Sequence, residues 1–139
     1  MQTEYIWHAE VRGYELDNQG IVNNANYFHY FNHTRVKHLL ALGLDWDEYA
    51  KQGLNLVLAE VSISFKAPLV AHDEFYITST FTRKGRMLIS CEQKLIRKPD
   101  EKLMAAADNL LACVNTKTGK PCMPEEIIQA LFQDTKGAI

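Results

Sequence analysis

The feature that most constrains this chain is a single change of hydrophobic period. Tyr5, Trp7, Ala9 and Val11 alternate with Ile6, His8, Glu10 and Arg12, the period-two pattern of a half-buried strand. After a polar turn, "NANYFHYFNHTRVKHLLALG" repeats apolar residues at three and four. Tyr27, Phe28, Phe31, Leu39 and Leu42 carry that helical pattern, and Gly43 supplies a stop. Asn23 or Asn24 would cap the helix. "DWDE" (Asp45 to Glu48) resembles a capping box opening a short second helix that ends near Gly53.

From there the pattern is strand-like nearly to the end. "LNLVLAEVSISFKAP" sets Val57, Ala59, Val61, Ile63 and Phe65 on one face and Glu60, Ser62, Ser64 and Lys66 on the other. Its first residues, Leu54 to Leu58, are apolar on both faces. "EFYITSTFTR" and "MLISCEQKLIR" flank a hairpin turn expected at Lys84 and Gly85, and "KLMAAADNLLACVNT" is the last candidate strand. "PEEIIQALFQ" predicts a terminal helix with Pro124 near its start. A parallel βαβ fold would need helices between the later strands, and the spacing leaves no room for them. The expected class is α+β: about five antiparallel strands wrapped around a long central helix, in one domain over residues 1–139.

Composition narrows the partners. Fifteen Lys and Arg against seventeen Asp and Glu leave a net charge of -2, without the basic excess of a protein that coats nucleic acid. No apolar run approaches the ~20 residues of a membrane helix, so no membrane partner is expected. The N-terminal residues carry charge too early for a signal peptide. Cys91, Cys113 and Cys122 are odd in number and lack metal-ligand spacing, which fits a reducing compartment. A cytoplasmic location is expected. His29 and His33 have the i, i+4 spacing that can share a metal, but no third ligand is evident. His29, His33 and His38 are therefore expected on the polar face, with no metal and no cofactor.

One segment carries more. "DNQGIVNNANY" (Asp17 to Tyr27), followed by "FNHTR", resembles the hotdog-fold thioesterases of the 4-hydroxybenzoyl-CoA thioesterase type, in which Asp-x-x-Gly-[Ile/Val] and then Asn-Tyr precede the central helix. Asp17, Gly20, Ile21, Asn26 and Tyr27 match that pattern. Phe65 and Pro68 of "FKAPL" match its aromatic-x-x-Pro segment, and the likeness runs from about Val11 to about Pro121. This chain has Asn23 and Asn24 where many relatives carry His or an aromatic residue, and His33 where a Glu is often found.

The resemblance implies hydrolysis of an acyl-CoA thioester. Asp17 would be nucleophile or general base, and the Asn24 backbone N–H would be the main oxyanion donor, with that of Ala25 weaker. Gly20 would let the turn bend, and Tyr27 with its aromatic neighbours would wall the acyl pocket. Lys84 and Arg86 would bind the phosphates of CoA, with Lys66 a weaker candidate. The family places its sites between subunits, which implies a homodimer or a homotetramer built as a dimer of dimers.

Simpler readings stand beside these. Asp17 fits a turn residue bonding its own backbone, Asn23 and Asn24 fit caps, and Lys84 and Arg86 fit a solvated turn. A non-catalytic module that holds an acyl thioester or an acyl carrier protein, or an acyl-carrier-protein thioesterase, would use the same fold. A hotdog hydratase pairs Asp with a His five residues on, where this chain has Val22.

Overall fold

Asn23 closes the start of the long helix. Its Oδ1 accepts from the Ala25 N–H at 2.9 Å, and its carbonyl accepts from the Asn26 N–H at 2.9 Å. The structure, a computed structural model, describes residues 4–137. Strand β1 (Tyr5–Glu10) leads through a 3₁₀ turn at Gly13–Glu15 to helix α1 (Asn24–Ala41) and helix α2 (Trp46–Lys51). Strands β2 (Leu54–Phe65), β3 (Glu74–Lys84), β4 (Leu88–Lys98) and β5 (Lys102–Asn115) follow, and helix α3 (Glu125–Gly137) comes last. The strands pair antiparallel in the order β1-β3-β4-β5-β2, one sheet wrapped on α1 in the hotdog arrangement.

Two apolar clusters fill the space between α1 and the sheet. Tyr27, Tyr30, Phe31, Leu69, Phe75, Ile77, Leu95 and Met104 pack beneath the first half of α1. Leu39, Leu44, Phe81, Ile89, Leu111, Ile127 and Leu131 pack beneath the second half, joined by α2 and α3. A polar belt separates them. Ser79 lies between Ile77 and Phe81 along β3, Gln93 between Leu95 and Cys91 on β4, and Asn109 between Ala107 and Leu111 on β5; all three are buried. Gln93 Nε2 donates to the Phe31 carbonyl, and Asn109 Nδ2 donates to the Cys91 carbonyl and to Gln93 Oε1, each at 2.9 Å. Arg35 donates to Asn109 Oδ1 and to Asn32 Oδ1. A buried Phe or Leu stabilises by roughly 1.5–3 kcal/mol and a net hydrogen bond by about 1. The belt therefore fixes the seating of α1 on the strands more than it adds stability.

Four local expectations are corrected. A bulge between Leu58 and Glu60 adds Ala59 to β2 and reverses its pleat, so Leu54, Leu56 and Leu58 pack against the second apolar cluster while Val57 is 40% exposed. The β3–β4 turn is Gly85, Arg86 and Met87, with Lys84 still paired to Leu88, because Gly85 takes the positive φ of 70° that the turn requires. His38 is buried, stacked on Tyr5 and in tilted contact with Phe81, with Nδ1 3.0 Å from Ser79 Oγ. Phe28 points outward at 40% exposure.

Candidate active site

Asp17 sits on one arm of a tight hairpin and the helix start on the other. Leu16 bridges Val22, the Asp17 N–H donates to the Ile21 carbonyl at 2.8 Å, and the Asn23 N–H donates to the Glu15 carbonyl at 3.0 Å. Gly20 makes the reversal at φ 80°, its N–H bonded to the Asp17 carbonyl. The Asp17 Oδ1 accepts from the Gln19 N–H at 2.8 Å and, more loosely, from the Ile21 N–H at 3.4 Å. One carboxylate oxygen is thus committed to the turn. Oδ2 has no donor among the described residues, and the side chain is half-exposed.

At the helix start the two expected backbone donors differ. The Ala25 N–H is held by the Asn23 cap, whereas the Asn24 N–H has no hydrogen-bond partner among the described residues. It lies at the positive end of an 18-residue helix. Asn24 also lines an apolar cleft of about 300 Å³ with Ile21, Val22, Tyr27, Phe65, Lys66, Ala67 and Pro68. Asp17 is not part of that lining. Tyr27 is a pillar of the cleft wall: it is 2% exposed, and its hydroxyl accepts from the Leu69 N–H at 3.0 Å. Burial pushes the Tyr27 phenol above its ordinary pKa, so it stays protonated at neutral pH.

The strongest polar cluster in this region escaped the sequence reading. Glu15, 3% exposed, accepts at Oε1 from the Arg12 N–H and the Tyr30 hydroxyl, both at 2.8 Å. Its Oε2 accepts from Arg12 Nε at 3.2 Å and Nη2 at 2.8 Å. Burial works to raise its pKa, yet the Arg12 side chain and N–H and the Tyr30 hydroxyl together hold it below the usual carboxylate range. The available signal was Arg12 and Glu15 at i, i+3 before a Gly-containing turn, too common a spacing to single out.

Lys84 and Arg86 lie elsewhere. The helix start sits at the Glu74 end of β3, where Val11 bonds Asp73 and Val22 bonds Leu69. Lys84 ends that strand, roughly 33 Å away at about 3.3 Å per residue, so within one protomer these cations stand apart from Asp17 and Asn24. Arg83 is committed to the turn, donating from Nε to the Gly85 carbonyl. Lys66, expected to matter least, is the cation beside Asn24. Among the described residues no group of three potential metal ligands occurs, and no helix is long and apolar enough to cross a membrane.

The sheet order and the long helix it wraps are those of the hotdog fold, here carrying an acid on a glycine turn and an open helix N-terminus. The chain belongs to the thioesterase-like superfamily, whose sequence pattern matches residues 11–131. It is 29% identical over 118 residues to a chloroplastic acyl-acyl carrier protein thioesterase of Arabidopsis thaliana, covering 85% of this chain but only 62% of that longer protein. It is 28% identical over 138 residues to the long-chain acyl-CoA thioesterase FadM of Escherichia coli, covering 98% of this chain and all of that one. In fold it is similar to the 1,4-dihydroxy-2-naphthoyl-CoA thioesterase of Synechocystis, with a TM-score of 0.89 at 18% identity over 96% of this chain and 98% of that chain.

Proposed function

We propose that this protein hydrolyses acyl-CoA thioesters to the free acid and CoA, with Asp17 and the Asn24 N–H as its machinery. The observation that carries the reading is the open Asn24 N–H, at a helix start that lines an apolar cleft. A thioester carbonyl at the mouth of that cleft would direct its oxygen at this donor. Negative charge gathers on that oxygen during attack, so a fixed donor stabilises the transition state more than the ground state.

Asp17 then has two routes. As general base, Oδ2 takes a proton from water as the water oxygen attacks the carbonyl carbon. The tetrahedral intermediate collapses, the carbon–sulfur bond breaks, and the carboxyl proton passes to the departing thiolate. As nucleophile, Oδ2 itself attacks and expels the thiolate, and water then hydrolyses the mixed anhydride. Both routes consume one water and release one acid and one thiol. Lys66, on the rim, suits the phosphate-bearing end of the substrate.

The assembly extends this reading. Phe28, Val36 and Leu40 on α1, and Val61 and Phe65 on the edge strand β2, are all more than a third exposed. A second copy pairing along β2 would cover this apolar surface and the unpaired strand edge. It would also bring a neighbouring Lys84 and Arg86 towards the cleft. A homodimer or dimer of dimers is the proposed state.

The identity with the Arabidopsis relative favours a second reading on the carrier alone, acyl carrier protein in place of CoA. A panel of short, long and aromatic acyl-CoAs, with released thiol measured by a chromogenic disulfide, tests hydrolysis. The same acyl groups on acyl carrier protein at equal concentration separate the carriers. Thiol release from acyl-CoA supports the proposal. Ligand binding without thiol release across both panels would leave a binding module instead.

A further inference from the structure

We propose that Glu15 is the positioning residue of this site, fastening the arm that carries Asp17 to the start of α1. The inference rests on the roles given above to Asp17 and Asn24 and concerns what holds them in register.

Glu15 stands two residues before Asp17 and bonds α1 through both its main chain and its side chain. Its carbonyl accepts from the Asn23 N–H at 3.0 Å and from Asn26 Nδ2 at 2.9 Å, so the cap residue and the first turn of α1 both close on it. Its carboxylate accepts from the Tyr30 hydroxyl, one turn further along the helix. The remaining donors, all from Arg12, tie the carboxylate back to the end of β1. A residue serving only the local 3₁₀ turn would need the Arg12 N–H alone. The bonds from Asn23, Asn26 and Tyr30 come from the element that presents the oxyanion donor. The carboxylate is ionised at neutral pH despite its burial, because Arg12 and Tyr30 stabilise the charge.

Reactivity depends steeply on such registration. A displacement of about 1 Å between a catalytic group and the reacting atom costs on the order of a hundredfold in rate. Glu15→Gln keeps the shape and one acceptor, but it turns an N–H₂ towards the Arg12 donors and breaks that side of the net. Tyr30→Phe removes only the helix-side bond and leaves the Arg12 pair intact.

The test is steady-state kinetics on acyl-CoA with both variants, alongside circular dichroism and solution mass. The expected result for Glu15→Gln is a fall in kcat of about tenfold to a hundredfold with KM little changed. Tyr30→Phe should show a smaller fall of the same kind, and it carries the test if Glu15→Gln does not fold. Glu15→Gln added to Asp17→Asn should cost nothing beyond Asp17→Asn alone, since a residue that acts through Asp17 has nothing left to position. A folded Glu15→Gln with unchanged kcat, a loss confined to KM, or a loss that adds to that of Asp17→Asn would overturn the role of Glu15 alone. A wild type that turns over no thioester would overturn the reading on which it rests.

Discussion

The Tyr27 hydroxyl accepts a hydrogen bond from the Leu69 N–H at 3.0 Å, forty-two positions along the chain and buried from water. That bond ties the first turn of α1 to the loop between β2 and β3. The same loop supplies Lys66, Ala67 and Pro68 to the cleft, so one phenol fixes the spacing between the helix start and the opposite cleft wall.

Replacing that phenol isolates the bond. Tyr27→Phe keeps the ring and its edge contact with Phe65, at 5.3 Å between centroids, but strands the Leu69 N–H. An unsatisfied buried donor costs about 1–3 kcal/mol. The urea midpoint should fall accordingly with an unchanged slope. An unchanged midpoint would show that the loop holds its place without Tyr27.

The exposed apolar edge makes a prediction about assembly. Sedimentation of the wild type at micromolar concentration should give more than one copy per particle. Phe65→Lys, at a position 50% exposed in the single chain, should shift the mass towards the monomer and reduce turnover in parallel. A wild type that is monomeric and fully active would contradict the proposed site between copies.

Acid should act through Glu15. Its folded-state pKa lies below the ordinary carboxylate value. The stability it contributes is therefore complete above the unfolded value of roughly 4.3 and is lost as pH falls through the lower folded value. Wild type should be more stable than Glu15→Gln at neutral pH, and the gap should close on acidification below that value. A gap that stays constant from neutral pH to pH 3 would show that the charge of Glu15 contributes nothing.

The cysteines bear on any thiol assay. Burial pushes the Cys91 thiol up to about 11. Burial and the neighbouring Cys122 thiol push Cys113 up to about 12, and half-exposed Cys122 lies 3.6 Å from it, sulfur to sulfur. Thiolates are the reactive form. A chromogenic disulfide should label Cys122 first in the native protein and all three cysteines in urea, as read by peptide mass. Fast native labelling of Cys91 would contradict its buried environment.

Much of the fold was legible because hydrophobic period reports the face a residue turns inward. The order of strands and helices, a cap at Asn23 or Asn24 and the Gly20 turn all follow from local chemistry. What remained hidden was tertiary. The bulge at Ala59 costs one residue and leaves no mark in composition, yet it turns Leu54, Leu56 and Leu58 inward. His38 looked like a polar-face residue because its partner Ser79 lies forty-one positions away. Glu15 was hidden for the same reason, since Tyr30 is invisible as its partner until α1 folds back. Lys84 and Arg86 have the right chemistry for phosphate, but sequence does not reveal which end of the sheet they occupy.

The central claim is that the Asp17 carboxylate performs the chemistry at a carbonyl held by the Asn24 N–H. Its most direct test is kcat for thiol release by Asp17→Asn, which preserves the Gln19 and Ile21 turn bonds while removing the charge. kcat is expected to fall by at least about a hundredfold while KM stays within a few-fold of wild type and the fold is retained. An Asp17→Asn protein that hydrolyses acyl-CoA at the wild-type rate would contradict it.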